Sequence, residues 1–178
     1  TRKWPDLPPV MEKLQIYELG REMGNDWNIY FDSDALIHPE TVDFTNFLTK
    51  EMVLQNGSDF GPVRWRPDRF MLRNKRQIGC CNWFTIASDW CIELWEPPHD
   101  ITFAEALSCI RPTGMEKSIG ISADHLIDDY LLSRNVAKYG LYYTIVPELM
   151  KKVGLPDANF FWHAYTISNE EKAKQMDA

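Results

Sequence analysis

The run Trp27-Asn28-Ile29-Tyr30-Phe31-Asp32-Ser33-Asp34-Ala35-Leu36-Ile37 decides how the rest of the chain is read. Its aromatic and β-branched opening predicts a short strand, with Asn25 and Asp26 turning the chain into it. Two aspartates one residue apart at the end of such a strand repel each other unless something positive lies between them. A hard divalent cation, Mg²⁺ or Mn²⁺, suits carboxylate oxygens and keeps coordination positions open for substrate phosphate. The position also lies outside the carboxyl end of a strand, where ligands bind in open α/β sheets. The plain alternative is a surface turn in which Asp32 caps the segment that follows.

Working outward, Val10, Leu14 and Tyr17 recur at helical spacing and predict a helix from about Pro9 to Met23. After His38-Pro39, Val42, Phe44, Phe47 and Leu48 predict a second helix, closed by Asn56-Gly57-Ser58. Residues 59–74 read as a loop, with one strand expected at Phe70-Met71-Leu72. The run from Ile78 to Ile86 reads as a buried strand, and Ser88 caps a helix through Trp95 that Pro97-Pro98 ends. A further helix is expected from about Thr102 to Ile110. The clearest helix has Ser122 as N-cap, Leu126, Ile127, Tyr130, Leu131 and Val136 as its apolar face, and Gly140 as its stop. Leu141 to Val146 reads as a strand that Pro147 ends. Helices alternating with short strands define an α/β chain.

With 178 residues the chain is expected to form a single domain, whose last stretch, 166–178, reads as a frayed tail. A net charge of -7 excludes a general nucleic-acid binder, which needs a clustered positive field. No apolar run reaches the length of a membrane span, so the chain as given reads as soluble. Cys80, Cys81, Cys91 and Cys109 show neither a Cys-x-x-Cys pair nor zinc spacing. They read as free buried thiols, which favours the cytoplasm as compartment.

Tyr30-Phe31-Asp32-Ser33-Asp34-Ala35-Leu36-Ile37 resembles the Asp-x-Asp segment of GT-A-fold glycosyltransferases, the nucleotide-diphospho-sugar transferase superfamily. A second match lies downstream: Asp128-Asp129, a helix with Arg134, Gly140, a strand and Pro147-Glu148 resemble the late acidic element of that family. Asp-Asp stands where Glu-Asp is common there, and the arginine is shifted by about one position. The resemblance implies a GT-A-like mixed sheet flanked by helices, incomplete on its N-terminal side, where the nucleotide-binding strand-helix units would lie. It implies Asp32 and Asp34 as metal-site acids, with Ser33 between them, and His163 as a further ligand. It implies Asp129 as base, with Asp128 or Asp124 contacting a sugar. Gly79, Asn82 and Trp83 resemble the wall of the sugar pocket, where Gly79 permits close approach, Asn82 bonds a hydroxyl and Trp83 stacks on a ring. Donor and acceptor would be a nucleotide diphosphate sugar and a carbohydrate or other hydroxyl.

From the residues alone, a carboxylate beside an acceptor hydroxyl is an ordinary general base. Imidazole is an acceptable ligand for Mn²⁺. His125 is a second histidine able to face the site, and Arg64, Arg66 and Lys75 are cations that spacing does not choose between. Two rival readings stand: a noncatalytic sugar- or partner-binding module on the same shell, and a phosphatase of the haloacid dehalogenase type. The latter lacks a threonine or valine at Leu36, and Lys117 is too close to the late acids.

Overall fold

A computed structural model of the chain describes residues 2–57, 64–111, 122–156, 160–163, 170–171 and 174. Lys117, the loop at 59–63 and most of the tail at 166–178 lie outside the described residues.

A 3₁₀ turn over Pro9–Gln15 runs into helix α1, Ile16–Met23, which Gly24 closes with a positive φ. Strand β1, Trp27–Phe31, follows as expected. Gly20 lets α1 pack closely on it: a Cβ there would lie 2.6 Å from Asn28 Oδ1 and 2.7 Å from Ile92 Cδ1. Strand β2 is Ala35–Ile37, β3 is Met52–Gln55 and β4 is Phe84–Ser88. Helix α2 spans Arg69–Arg73, α3 Phe103–Ser108 and α4 Ile127–Tyr139. Strand β5, Tyr142–Ile145, leads into helix α5, Val146–Val153, and β6 is Phe161–His163.

The main sheet has the order β1-β4-β3-β5. Strand β4 is antiparallel to both β1 and β3, while β5 runs parallel to β3, so the sheet is mixed. Strands β3 and β4 are buried along their whole length because both faces of the sheet are covered. Alternate side chains divide between two cores. Val53 and Ala87 face Leu14, Trp95, Leu131 and Leu132 on one side. Met52, Leu54, Phe84 and Ile86 face Phe44, Val146, Leu149 and Met150 on the other. The expected class, α/β with a mixed sheet flanked by helices, is what the chain forms. Among the described residues no helix is long and apolar enough to cross a membrane.

Helix α4 runs through the first core and is buried all round, which explains why polar Ser133, Arg134 and Asn135 lie inside. Each is matched. Ser133 Oγ accepts from Cys80 N at 2.9 Å and donates to Asp129 O at 2.8 Å. Asn135 Nδ2 donates to the carbonyls of Leu94 and Glu96, each at 3.0 Å. Arg134 pairs with Asp100 and Asp68.

Several expected elements differ. The helix after Pro39 is only a 3₁₀ turn, Phe44–Phe47, with Asp43 accepting from Thr45 N at 3.0 Å, and strand β3 stands where its second half was expected. A short run buried on both faces carries no period that separates strand from helix. Phe70-Met71-Leu72 is helical, because Asp68 caps α2 by accepting from Phe70 N and Met71 N, each at 2.9 Å. The strand expected from Ile78 begins only at Phe84, since the amides of Cys80, Cys81 and Asn82 bond to the side chains of Ser133, Gln55 and Asp129 and not to a neighbouring strand. Pro147 sits in the first turn of α5, where its missing N–H costs nothing. Strands β2 and β6 had no counterpart in the sequence reading.

Candidate metal and acidic site

The turn after β1 is fixed from both sides. Asp32 N donates to Trp83 O at 2.8 Å, and Ala35 N donates to Asp32 O at 3.1 Å. Strand β2 then pairs with β6 so that Ala35 stands opposite His163. The rings of Phe31, Phe84 and Phe161 pack together, with centroids 4.7 Å and 4.1 Å apart along the series, and hold β6 against the sheet. This register brings a residue from late in the chain to the Asp-x-Asp turn. His163 Nε2 lies 3.2 Å from Asp34 Oδ1 and 3.7 Å from Asp32 Oδ2. One ligand atom from each of the three residues lies within 4.8 Å of the others.

Burial pushes the pKa of His163 down, although Asp34 and Asp32 pull it up, which favours the neutral imidazole. A neutral imidazole beside two carboxylates is a donor set suited to Mn²⁺ or Mg²⁺. The ring of His163 is stacked on that of Trp83, centroids 4.8 Å apart and 12° between planes. That contact orients the imidazole and takes one face of Trp83 away from any sugar.

Next to this triad opens a cavity of about 330 Å³, whose lining includes Lys13, Asp32, Arg64, Asn82, Trp83, His125, Asp128, Asp129 and His163. The acidic pair enters from the first turn of α4. Asp128 is 2% exposed. Asp129 is half-buried, and its Oδ1 accepts from Asn82 N at 2.6 Å. Burial first, and then the neighbouring Asp128, push the carboxyl pKa of Asp129 well up, against the hydrogen bond from Asn82. Burial also raises Asp128, against the pull of Lys13.

Lys13, which no motif in the sequence marks, stands at the centre of the site. Its Nζ lies 3.0 Å from Asp32 Oδ1, 3.1 Å from Asp128 Oδ2 and 3.0 Å from Asn82 O. Burial opposes its charge, but Asp128 and Asp32 outweigh burial and hold its pKa above that of an ordinary lysine. A signal existed: Lys13 falls between Val10 and Tyr17 on the inward stripe of an amphipathic stretch, where a charged residue needs a partner.

The structure therefore gathers Asp32, His163, Asn82, Trp83, Asp128 and Asp129 around one cavity, together with His125 and Arg64, and sets Asp34 beside Asp32 and His163 in the triad. It does not bring Asp124 there; that carboxylate accepts from the Ser122 hydroxyl in the 3₁₀ turn Ala123–Leu126, and Ser122 makes no side-chain cap bond to the helix. Ser33 is exposed. Gly79 is buried behind the wall, its carbonyl accepting from Tyr143 OH at 3.3 Å. Arg66 and Lys75 are exposed outside the cavity lining, and Arg134 serves α4. The Asn82 side chain is 1% exposed, with Oδ1 accepting from Thr85 Oγ1 at 2.9 Å and Nδ2 without a hydrogen-bond partner among the described residues. All four cysteines are free thiols, and burial pushes Cys80 up to about 12 and Cys91 up to about 11.

No protein-family model, curated protein or solved structure matches this chain.

Proposed function

We propose that the chain carries the metal and acceptor elements of a GT-A-type glycosyltransferase, which moves a sugar from a nucleotide diphosphate sugar to an acceptor hydroxyl. One observation carries this reading: Asp32 and His163 of the Asp-Asp-His ligand set line the same cavity as Asp128 and Asp129. Asp32, Asp34 and His163 would hold Mn²⁺ or Mg²⁺, which when bound acts as Lewis acid toward the departing diphosphate. Asp129 takes the proton from the acceptor hydroxyl as its oxygen bonds the anomeric carbon and the bond from that carbon to phosphate oxygen breaks. The raised carboxyl pKa makes Asp129 a stronger base than an exposed aspartate. Asn82 Nδ2 is the donor left for a sugar hydroxyl.

A second reading has an observation of its own. Lys13 already neutralises Asp32 and Asp128, as a noncatalytic sugar- or partner-binding module with the same shell would require. Calorimetric titration with Mn²⁺, followed by nucleoside diphosphates in its presence, separates the two. Metal-dependent nucleotide binding that Asp34→Asn abolishes is the expected result, with transfer lost in Asp129→Asn while nucleotide still binds. Absence of any metal-dependent nucleotide binding would refute the transferase reading, and undiminished turnover in Asp129→Asn would refute the base.

A further inference from the structure

We propose that Lys13 is a positioning residue that couples the metal site to the acidic pair: as an internal counter-ion it shares Asp32 with the divalent cation and Asp128 with the base. This rests on the metal site proposed above and goes beyond it, since Lys13 is neither ligand nor base.

The argument is geometric. The Lys13 ammonium meets Asp32 Oδ1 at 3.0 Å and Oδ2 at 3.3 Å, while His163 Nε2 stands 3.7 Å from Oδ2. One carboxylate is thus shared by the lysine, which contacts both of its oxygens, and the imidazole of the triad, which lies near Oδ2. The same ammonium meets Asp128 Oδ2 at 3.1 Å, in a carboxylate that is 2% exposed. Its third contact, the Asn82 carbonyl at 3.0 Å, belongs to the residue whose amide N–H holds Asp129. The Tyr30 ring, 5.4 Å away, and the Tyr30 hydroxyl on Asp32 close the remaining side. Two carboxylates together compensate one ammonium. Neutralising Asp128 leaves the lysine charge less compensated beside Asp32, so a divalent ion on Asp32 senses whether Asp128 is charged.

Mn²⁺ alone is the probe, titrated calorimetrically into the wild type, Lys13→Met, Lys13→Arg, Asp128→Asn and the Lys13→Met/Asp128→Asn double variant, with circular dichroism to establish folding. Removing a unit charge about 6 Å from a divalent ion in a water-like dielectric changes its affinity roughly tenfold, and protonation of the uncompensated Asp128 takes back part of it, so Lys13→Met tightens Mn²⁺ binding by roughly threefold. Lys13→Arg keeps the wild-type affinity. Asp128→Asn weakens binding by about threefold or more, although Asp128 is no ligand, and this effect disappears in the Lys13→Met background, where the buried Asp128, left without its cation, already carries a proton. The proposal is overturned if folded Lys13→Met binds Mn²⁺ no tighter than wild type, or if Asp128→Asn acts by the same factor in both backgrounds. Should Lys13→Met not fold, an unchanged affinity in Asp128→Asn overturns it. Failure of the metal site itself reads differently: then neither wild type nor Lys13→Met binds Mn²⁺, and both proposals fall. Binding by Lys13→Met alone supports the role of the lysine.

Discussion

Arg134 offers a decisive test of what holds α4 in place. Its side chain is 1% exposed and bridges Asp100, with Nη1 at 3.0 Å and Nη2 at 2.6 Å, to Asp68, which is 9% exposed and also caps α2. Arg134→Met keeps the aliphatic stem and the packing on Phe70, whose ring lies 4.7 Å from the guanidinium carbon, but leaves Asp68 without its buried cation. Breaking a buried pair from one side costs about 3–5 kcal/mol. Asp100, at 22% side-chain exposure, regains water, which points to the lower end, about 3 kcal/mol. With a urea slope of about 2 kcal/mol/M the unfolding midpoint falls by roughly 1.5 M. Urea titration followed by tryptophan fluorescence reads this directly. Acid supplies a second readout. The Arg134 guanidinium, chiefly, holds the Asp100 carboxyl well below the usual carboxylate range against the opposing effect of burial. A depressed carboxyl adds stability above its unfolded pKa of about 3.9 and loses it as pH falls toward the folded value. That acid-side loss is therefore steep in the wild type and flattened in Arg134→Met. A midpoint shift below about 0.5 M would refute the clamp, and more than a twofold change in Mn²⁺ affinity would show that Arg134 belongs to the site after all.

Three further outcomes are expected. Asp129→Asn unfolds at higher urea than the wild type near pH 8, because a raised carboxyl adds stability below its unfolded pKa and loses it as pH rises through the folded one; the difference vanishes near pH 4, and equal midpoints at both pH values would contradict this. Gly140→Ala loses about 1 kcal/mol in the same assay, since φ is +67° at that C-cap and a Cβ there meets nothing within 4 Å; an unchanged midpoint would remove the strain argument. His163→Ala lowers Mn²⁺ affinity by about tenfold or more, a range reached even by outer partners of metal ligands, and wild-type affinity in that variant would exclude the histidine from the triad.

Elements that carry their own punctuation were legible in the sequence. The helix that Gly24 stops, strand β1, the helix after Thr102 and the stop of α4 at Gly140 stand where the sequence placed them, although Pro9–Gln15 and Ala123–Leu126 are wound as 3₁₀ turns. Elements made by tertiary contact were not. Met52-Val53-Leu54 is apolar whichever way it folds, and only its pairing with β4 and β5 makes it a strand. The run from Ile78 to Trp83 looks like a strand because it is apolar, yet its amides are engaged by side chains from distant elements. The site divides in the same way. Asp32, Asp34, Asp128 and Asp129 announce themselves as adjacent charges on apolar segments. Lys13 does not, because its meaning lies in two carboxylates far along the chain.

The β2–β6 ribbon has a kinetic consequence. It is three residues on each side, it ties the beginning of the chain to its late part, and His38 N donating to Phe160 O at 2.8 Å extends it. The ligand triad exists only while that ribbon is closed. Closing so long a loop is entropically slow, so the triad assembles after the sheet, and an ion bound there would fasten it as a clasp. At a hundred times its dissociation constant the ion would stabilise the closed form by about 2.7 kcal/mol. Chelation would then unfasten a ribbon before it unfolds a domain, and hydrogen exchange at Leu36 and Trp162 would report that opening first.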